Sequence, residues 1–136
     1  MDALHLDYKK LSTLDWENLA VMPVAVQDAN SREVLMVAYV NRQALEESLN
    51  RKVAVFWSTS RNVLWIKGET SGDTLRLKEV RVNCYGNSLL FLVELEGKGM
   101  CHTKDDHGNS RYGCYYRELD QDLNASFVQN QPYSGS

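Results

Sequence analysis

Met22-Pro23-Val24-Ala25-Val26-Gln27, Asp28-Ala29-Asn30-Ser31 and Glu33-Val34-Leu35-Met36-Val37-Ala38-Tyr39-Val40 follow one another in the chain as apolar run, polar break and apolar run. The outer two are rich in β-branched residues and the middle one in turn formers, which is the signature of an antiparallel hairpin. Asn41 comes next and is an N-cap type, with Val40 before it and Leu45 four positions after it set to form a hydrophobic staple. Leu45 and Leu49 lie one helical turn apart, so the spacing predicts a short amphipathic helix over residues 42–50 that caps the sheet.

Working outward, Leu4, Leu6, Tyr8, Leu11 and Leu14 have a loosely helical spacing that predicts a short helix in the first twenty residues. Downstream, residues 53–58 and 63–67 read as two strands joined by Thr59-Ser60-Arg61-Asn62. The first has Val53, Val55 and Trp57 on one face and Ala54 and Phe56 on the other, so it is expected to be central and covered on both sides. Lys67-Gly68-Glu69-Thr70-Ser71-Gly72-Asp73 interrupts the strands as a loop. The apolar phase then moves from Leu75 and Leu77 to Val80 and Val82, which predicts a bulge near Lys78. Residues 89–95 give a further strand and residues 113–119 the last, separated by a polar, glycine-containing stretch.

Six or seven strands with one helix and no long crossover helices predict an α+β domain, a mainly antiparallel curled sheet or pseudo-barrel, and speak against a doubly wound parallel sheet. Residues 1–119 form the expected single domain. From Asp120 the chain is polar and closes on Gln-Pro-Tyr-Ser-Gly-Ser, the composition of a disordered tail over residues 120–136.

The 136 residues are enough for a hydrophobic core without staples, and a net charge of -3 supplies no basic field for nucleic acid. No run is long enough to span a bilayer and no amino-terminal leader pattern is visible, so a cytoplasmic location is the expectation. Three cysteines, an odd number, argue against a closed disulfide framework and leave metal binding, catalysis or burial.

Those cysteines are spaced C-x16-C-H-x11-C as Cys84, Cys101, His102 and Cys114, with Cys84 inside Asn83-Cys84-Tyr85-Gly86-Asn87 between two expected strands. Three soft thiolates suit zinc and leave a fourth position for water. Spacing alone carries little, because no pair is a CxxC and a lone cysteine in a strand is commonly a small buried hydrophobe. His102 reads as a ligand, a general base or a surface residue, and the residues alone favour the surface.

Leu35-Met36-Val37-Ala38-Tyr39-Val40-Asn41, Phe56-Trp57-Ser58-Thr59-Ser60-Arg61, Leu64-Trp65, the unbroken Lys67-Gly68-Glu69-Thr70-Ser71-Gly72, Cys101-His102-Thr103 and Cys114-Tyr115-Tyr116-Arg117 together resemble the phosphoribosyl-AMP cyclohydrolase family in order and approximate spacing, over residues 14–118. The resemblance implies a homodimeric histidine-biosynthesis enzyme of pseudo-barrel fold that opens the adenine ring of 1-(5-phosphoribosyl)-AMP between N1 and carbon 6. Carried over by residue, it implies zinc on Cys84 of one protomer and Cys101 and Cys114 of the other. It also makes His102 the proton-transfer candidate, imidazole being able to accept and return a proton near pH 7. For a nucleotide with two phosphates, Arg61 and Lys67 can meet phosphate oxygens and Thr70, Ser71 and the loop amides can donate. Trp57 is a candidate for stacking on the purine, or else core, with Ser58 beside it. Glu69 can bind a ribose hydroxyl or hold Lys67.

Two departures from the family stand out. Its opening stretch usually reads Asp-Cys-Asp-x-Asp, whose aspartates bind magnesium. Asn83, Tyr85 and Asn87 stand there instead, so no family-type magnesium site is expected. If the strand continues, these three share one face while Cys84 points to the other. Between Cys101 and Cys114 lie twelve residues where the family has about six. Asp105, Asp106 and His107 in this insert (residues 104–113) either replace the missing carboxylates or add a ligand, or belong to a tolerated surface loop, which is the favoured reading. Three functions compete: the cyclohydrolase with altered metal use, a paralogue acting on another purine-like or amidine substrate, and a non-catalytic zinc-binding or regulatory dimer.

Overall fold

The computed structural model describes residues 21–129, 131 and 132. The helix expected in the first twenty residues lies outside them. Alternation in β1 (Met22–Asp28) buries Met22, Val24, Val26 and Asp28 on one face, and β1 pairs antiparallel with β2 (Val34–Val40) as the hairpin pattern predicts. Asp28 closes the turn, its Oδ1 accepting from the backbone N–H of Asn30 at 2.8 Å and of Ser31 at 3.4 Å.

The helix α1 (Arg42–Arg51) follows at once. Asn41 caps it by accepting from the Ala44 N–H, and Lys52 ends it in the left-handed region at φ 59° with its N–H on the Ser48 carbonyl. Its buried face is Ala44, Leu45 and Ser48, whereas Leu49, expected on that face, is 52% exposed. Ser48 is turned inward because its Oγ accepts from the Val55 N–H at 2.9 Å and lies 2.9 Å from the carbonyls of Ala44 and Val55. A buried hydroxyl with backbone to bond competes successfully with a leucine for the inner face.

Strands β3 (Val55–Ser58) and β4 (Val63–Ile66) form a two-stranded antiparallel ladder, and β5 (Leu75–Val82) and β6 (Leu89–Leu95) complete a four-stranded sheet in the order β2-β1-β6-β5. The β1–β6 pair is parallel and the others antiparallel. The bulge expected near Lys78 is present as a register shift between Leu77 and Glu79. The expectation that residues 53–58 form a central strand is corrected. Ala54, Val55 and Phe56 are buried, but because β3 packs against α1 and β2 rather than between two strands. An apolar run on both faces does not distinguish those two kinds of cover.

The last strands are β7 (Arg117–Leu119) and β8 (Ala125–Phe127), an antiparallel pair, so the segment read as a disordered tail carries a strand of its own. What ties it down is Phe127 stacked on Tyr116 at 6.1 Å, with the Arg111 guanidinium 4.3 Å from the Tyr116 ring and 5.2 Å from that of Phe127. The result is an α+β domain of strands with one short helix, whose three sheets remain separate and do not close into the expected barrel. The core centres on Phe56 and Phe91, their rings 6.1 Å apart, with Met22, Leu35, Leu75 and Met100 around them. Among the described residues no helix is long and apolar enough to cross a membrane.

Candidate active site

The loop that leaves β4 folds back on itself between Lys67 and Asp73. Gly68 makes this possible twice over: its φ is +79°, and a Cβ there would lie 2.2 Å from the Asp73 carbonyl carbon. The Gly72 N–H donates to the Gly68 carbonyl at 2.8 Å and the Asp73 N–H to Ser71 Oγ at 3.3 Å, which fixes the loop.

Opposite this loop stands the segment between β6 and β7. Cys101 is buried, and the N–H groups of Met100 and Cys101 both donate to the Arg111 carbonyl at 3.0 Å. Cys114 is anchored from the other side, its N–H donating to the Leu35 carbonyl at 2.7 Å while Gly113 packs on the Leu35 backbone. Tyr112 supports that anchor by donating its hydroxyl to Asp28 Oδ2 at 2.6 Å and by bonding Ser31 Oγ. Thus β2 and the first turn of the sheet position a cysteine about eighty residues away in sequence.

Loop and segment enclose a cleft of about 710 Å³, within the ordinary size range for small-ligand sites. It brings together Arg61, Lys67, Glu69, Thr70, Ser71, Cys101, His102 and Cys114 from the residues singled out in the sequence. Trp57 and Ser58 are not in its lining. Trp57 packs against the core with its indole N–H buried and unpartnered, and Ser58 Oγ accepts from the Arg61 N–H at 3.2 Å, shaping the turn that carries Arg61. The aromatic ring that does line the cleft is Trp65, which sequence reasoning placed in a motif without giving it a role; Asp73, Lys104 and Ser110 were also missed. Cross-strand pairing of Phe56 with Trp65 and of Trp57 with Leu64 fixes these positions, and alternation within one strand does not reveal it. A second groove of about 750 Å³ beside the end of α1, lined by Arg51, Lys52, Arg76 and Lys78 among others, contains no thiol or imidazole.

The two thiols in the cleft are neighbours. Burial pushes the Cys114 thiol up to about 12, the nearby Cys101 adds to the rise through charge and a hydrogen bond, and Lys67 opposes it. Cys114 is exposed as a residue, but its sulfur is desolvated by the protein around it. Cys101 Sγ also lies 2.9 Å from Thr103 Oγ1. Two adjacent soft donors at the wall of a polar cleft fit zinc. Among the described residues no three His, Cys, Asp or Glu side chains gather as a metal group, so Cys84 does not join the pair within one chain.

Cys84 is instead exposed on the turn between β5 and β6. The strand ends at Val82, so Asn83, Tyr85 and Asn87 do not share a strand face. Asn83 organises the turn: its Oδ1 accepts from the N–H of Asn87 at 2.9 Å and of Ser88 at 3.1 Å, and its Nδ2 donates to Asn87 Oδ1 at 2.6 Å. Amides bonded to one another and to backbone do not fit a hard cation that takes several carboxylates, such as magnesium.

Within the insert, Lys104 and Ser110 bridge as an antiparallel pair and Asp105 closes the tip. The N–H of Asn109 holds the Asp105 carboxyl below the usual carboxylate range, and the N–H of His107 acts in the same direction. That carboxylate is occupied by its own loop.

The phosphoribosyl-AMP cyclohydrolase family model matches residues 36–116. The chain is 49% identical over 109 residues to the phosphoribosyl-AMP cyclohydrolase of Methanosarcina acetivorans, covering 80% of this chain and 84% of the relative. It is 44% identical over 109 residues to that of Archaeoglobus fulgidus, covering 80% and 94%. A histidine biosynthesis bifunctional protein of Deinococcus radiodurans is 44% identical over 112 residues, which are 82% of this chain and 48% of that one.

Proposed function

The chain belongs to the phosphoribosyl-AMP cyclohydrolase family, and from that premise we propose that its cleft hydrolyses 1-(5-phosphoribosyl)-AMP in histidine biosynthesis, opening the adenine ring between N1 and carbon 6. The observation that carries the reading is a single cleft that unites two thiols, an imidazole and the 67–71 loop. Carbon 6 of a purine is a poor electrophile, and attack on it needs both an activated water and a proton carrier. Zinc held by Cys101, Cys114 and Cys84 of a second copy would supply Lewis acidity near neutral pH.

The chain's own groups divide the remaining work. Arg61 and Lys67 bind phosphate oxygens, and Thr70, Ser71 and the amides of the glycine turn donate to phosphate and ribose. Glu69 accepts from a ribose hydroxyl. His102, exposed on the cleft wall, accepts the proton released as water adds to carbon 6 and returns it to N1 as the ring bond breaks.

A homodimer completes the site in this reading. What supports it is the split of the thiols between the cleft and a distant turn, together with exposed apolar side chains: Tyr115 at 51% and Leu119 at 66% in one groove with Cys114, and Phe127 at 59% on the strand paired with that of Leu119.

The test is turnover of phosphoribosyl-AMP, followed by product absorbance, for the zinc-loaded protein with and without magnesium. Turnover that is lost with zinc and regained on its return supports the proposal, and turnover indifferent to magnesium agrees with the amide-closed turn. A folded, zinc-loaded protein without turnover overturns it in favour of another ring substrate or a binding role.

A further inference from the structure

We infer that Lys104 is a phosphate-binding residue of the cleft, held in place by a relay through Ser110 to Asp73. The inference rests on the cyclohydrolase reading for the identity of the ligand and goes beyond it in giving the insert a task.

The Lys104 ammonium donates to Ser110 Oγ at 2.8 Å, and Ser110 Oγ donates to Asp73 Oδ2 at 2.9 Å. Chemistry fixes the direction of this chain. A lysine ammonium is donor only and an ionised carboxylate acceptor only, so the one hydroxyl hydrogen goes to Asp73 and a lone pair faces Lys104. All three side chains line the cleft.

The support is built rather than incidental. Two glycines just after β6 let the insert approach: a Cβ on Gly97 would lie 2.6 Å from Asp73 Oδ1, and one on Gly99 would lie 2.2 Å from the Ser110 carbonyl oxygen. Asp73 is at the same time the residue against which Gly68 folds the 67–73 loop. One carboxylate therefore ties the substrate loop to the insert, while the Lys104–Ser110 bridge and the Asp105-closed tip hold the lysine stem.

A solvated lysine pays rotamer entropy when it meets a ligand, and one tethered through its own ammonium has already lost part of it. Two of its three donors remain for a phosphate. With Arg61 on the β3–β4 turn and Lys67 at the start of the glycine loop, Lys104 makes a third cation around the cleft against the carboxylates of Glu69 and Asp73, an excess of positive charge that favours a phosphate-bearing ligand. Asp73 and Ser110 are positioning residues in this scheme and Lys104 the ligand-contacting one.

The experiment measures binding of AMP and of adenosine by calorimetry to the zinc-loaded full chain and to Lys104→Gln, Lys104→Arg and Asp73→Asn. The expected result is about a fivefold loss of AMP affinity in Lys104→Gln, the order of one charge-assisted contact, with adenosine affinity unchanged and AMP affinity largely restored in Lys104→Arg. Asp73→Asn should weaken AMP by a smaller factor and leave adenosine unchanged. Equal AMP affinity in wild type and Lys104→Gln, an equal loss for adenosine, or no AMP binding by wild type overturns the inference. Turnover of wild type is measured in parallel. Its absence defeats the cyclohydrolase reading alone, and Lys104 is still judged on the AMP and adenosine comparison.

Discussion

Replacing Tyr112 by phenylalanine deletes one hydroxyl and keeps the ring. Tyr112 is 5% exposed and its partner Asp28 is 3% exposed, so no solvent replaces what is lost. Asp28 Oδ1 keeps the N–H groups of Asn30 and Ser31, while Oδ2 loses the donor at 2.6 Å. A hydrogen bond to a charged group contributes about 1.5–3 kcal/mol net, so a loss of about 2 kcal/mol is expected. For a chain of this length that corresponds to roughly 6–8 °C in melting temperature, or about 1.3 M in urea midpoint at a slope near 1.5 kcal/mol/M. The assay is urea unfolding at one fixed protein concentration, since association would shift the midpoint.

The same variant has a signature in pH. Burial, with help from Asp28, raises the Tyr112 phenol well above its ordinary value of 10.0. A folded pKa above the unfolded one means that the stability is fully present below about pH 10 and is lost as the pH rises toward the folded value. Wild type should therefore lose up to ~1.4 kcal/mol per pH unit above 10 that the phenylalanine variant does not lose, and the gap between them should close. A midpoint shift under about 0.3 M, or a gap that stays constant from pH 8 to pH 10.5, would refute the assigned role.

Two further outcomes are expected from the loops. Gly68→Ala should lose at least about 2 kcal/mol more than Gly72→Ala and raise KM for the nucleotide, because both positions have positive φ but only a Cβ at 68 meets backbone at 2.2 Å; equal melting temperatures for the two variants would count against the close fold-back. Asn83→Ala removes the acceptor of two backbone N–H groups and should cost about 1–2 kcal/mol and lower bound zinc by displacing Cys84, whereas Asn83→Asp keeps that acceptor and should cost less. Chemical denaturation and metal analysis of the three proteins decide the matter.

The legible part of the fold was local. The β1–β2 hairpin, the Asn41 cap and the bulge at Leu77 and Glu79 each depend on residues within a few positions of one another, and pattern and propensity act over that range. The candidate site was legible as motifs: the 67–72 loop and the Cys-His pair reach one cleft together. Strand partners were not legible. The parallel β1–β6 pair joins residues more than sixty positions apart, and the cover over β3 comes from α1 and β2. The exchange of Leu49 for Ser48 on the helix's inner face follows from the Val55 N–H, which helical periodicity does not contain.

By itself, then, the sequence determined the α+β class and the turn chemistry and named the candidates for a soft metal and an anionic nucleotide, because these depend on side-chain type and near neighbours. Only the tertiary structure decided which of those residues meet. It placed Cys114 through Leu35 and Tyr112, turned Cys84 away on an amide-closed hairpin, and bound Lys104 to Asp73 across thirty-one positions. Contacts of that range are selected by packing and by the satisfaction of buried polar groups, and both become defined only once the chain has folded.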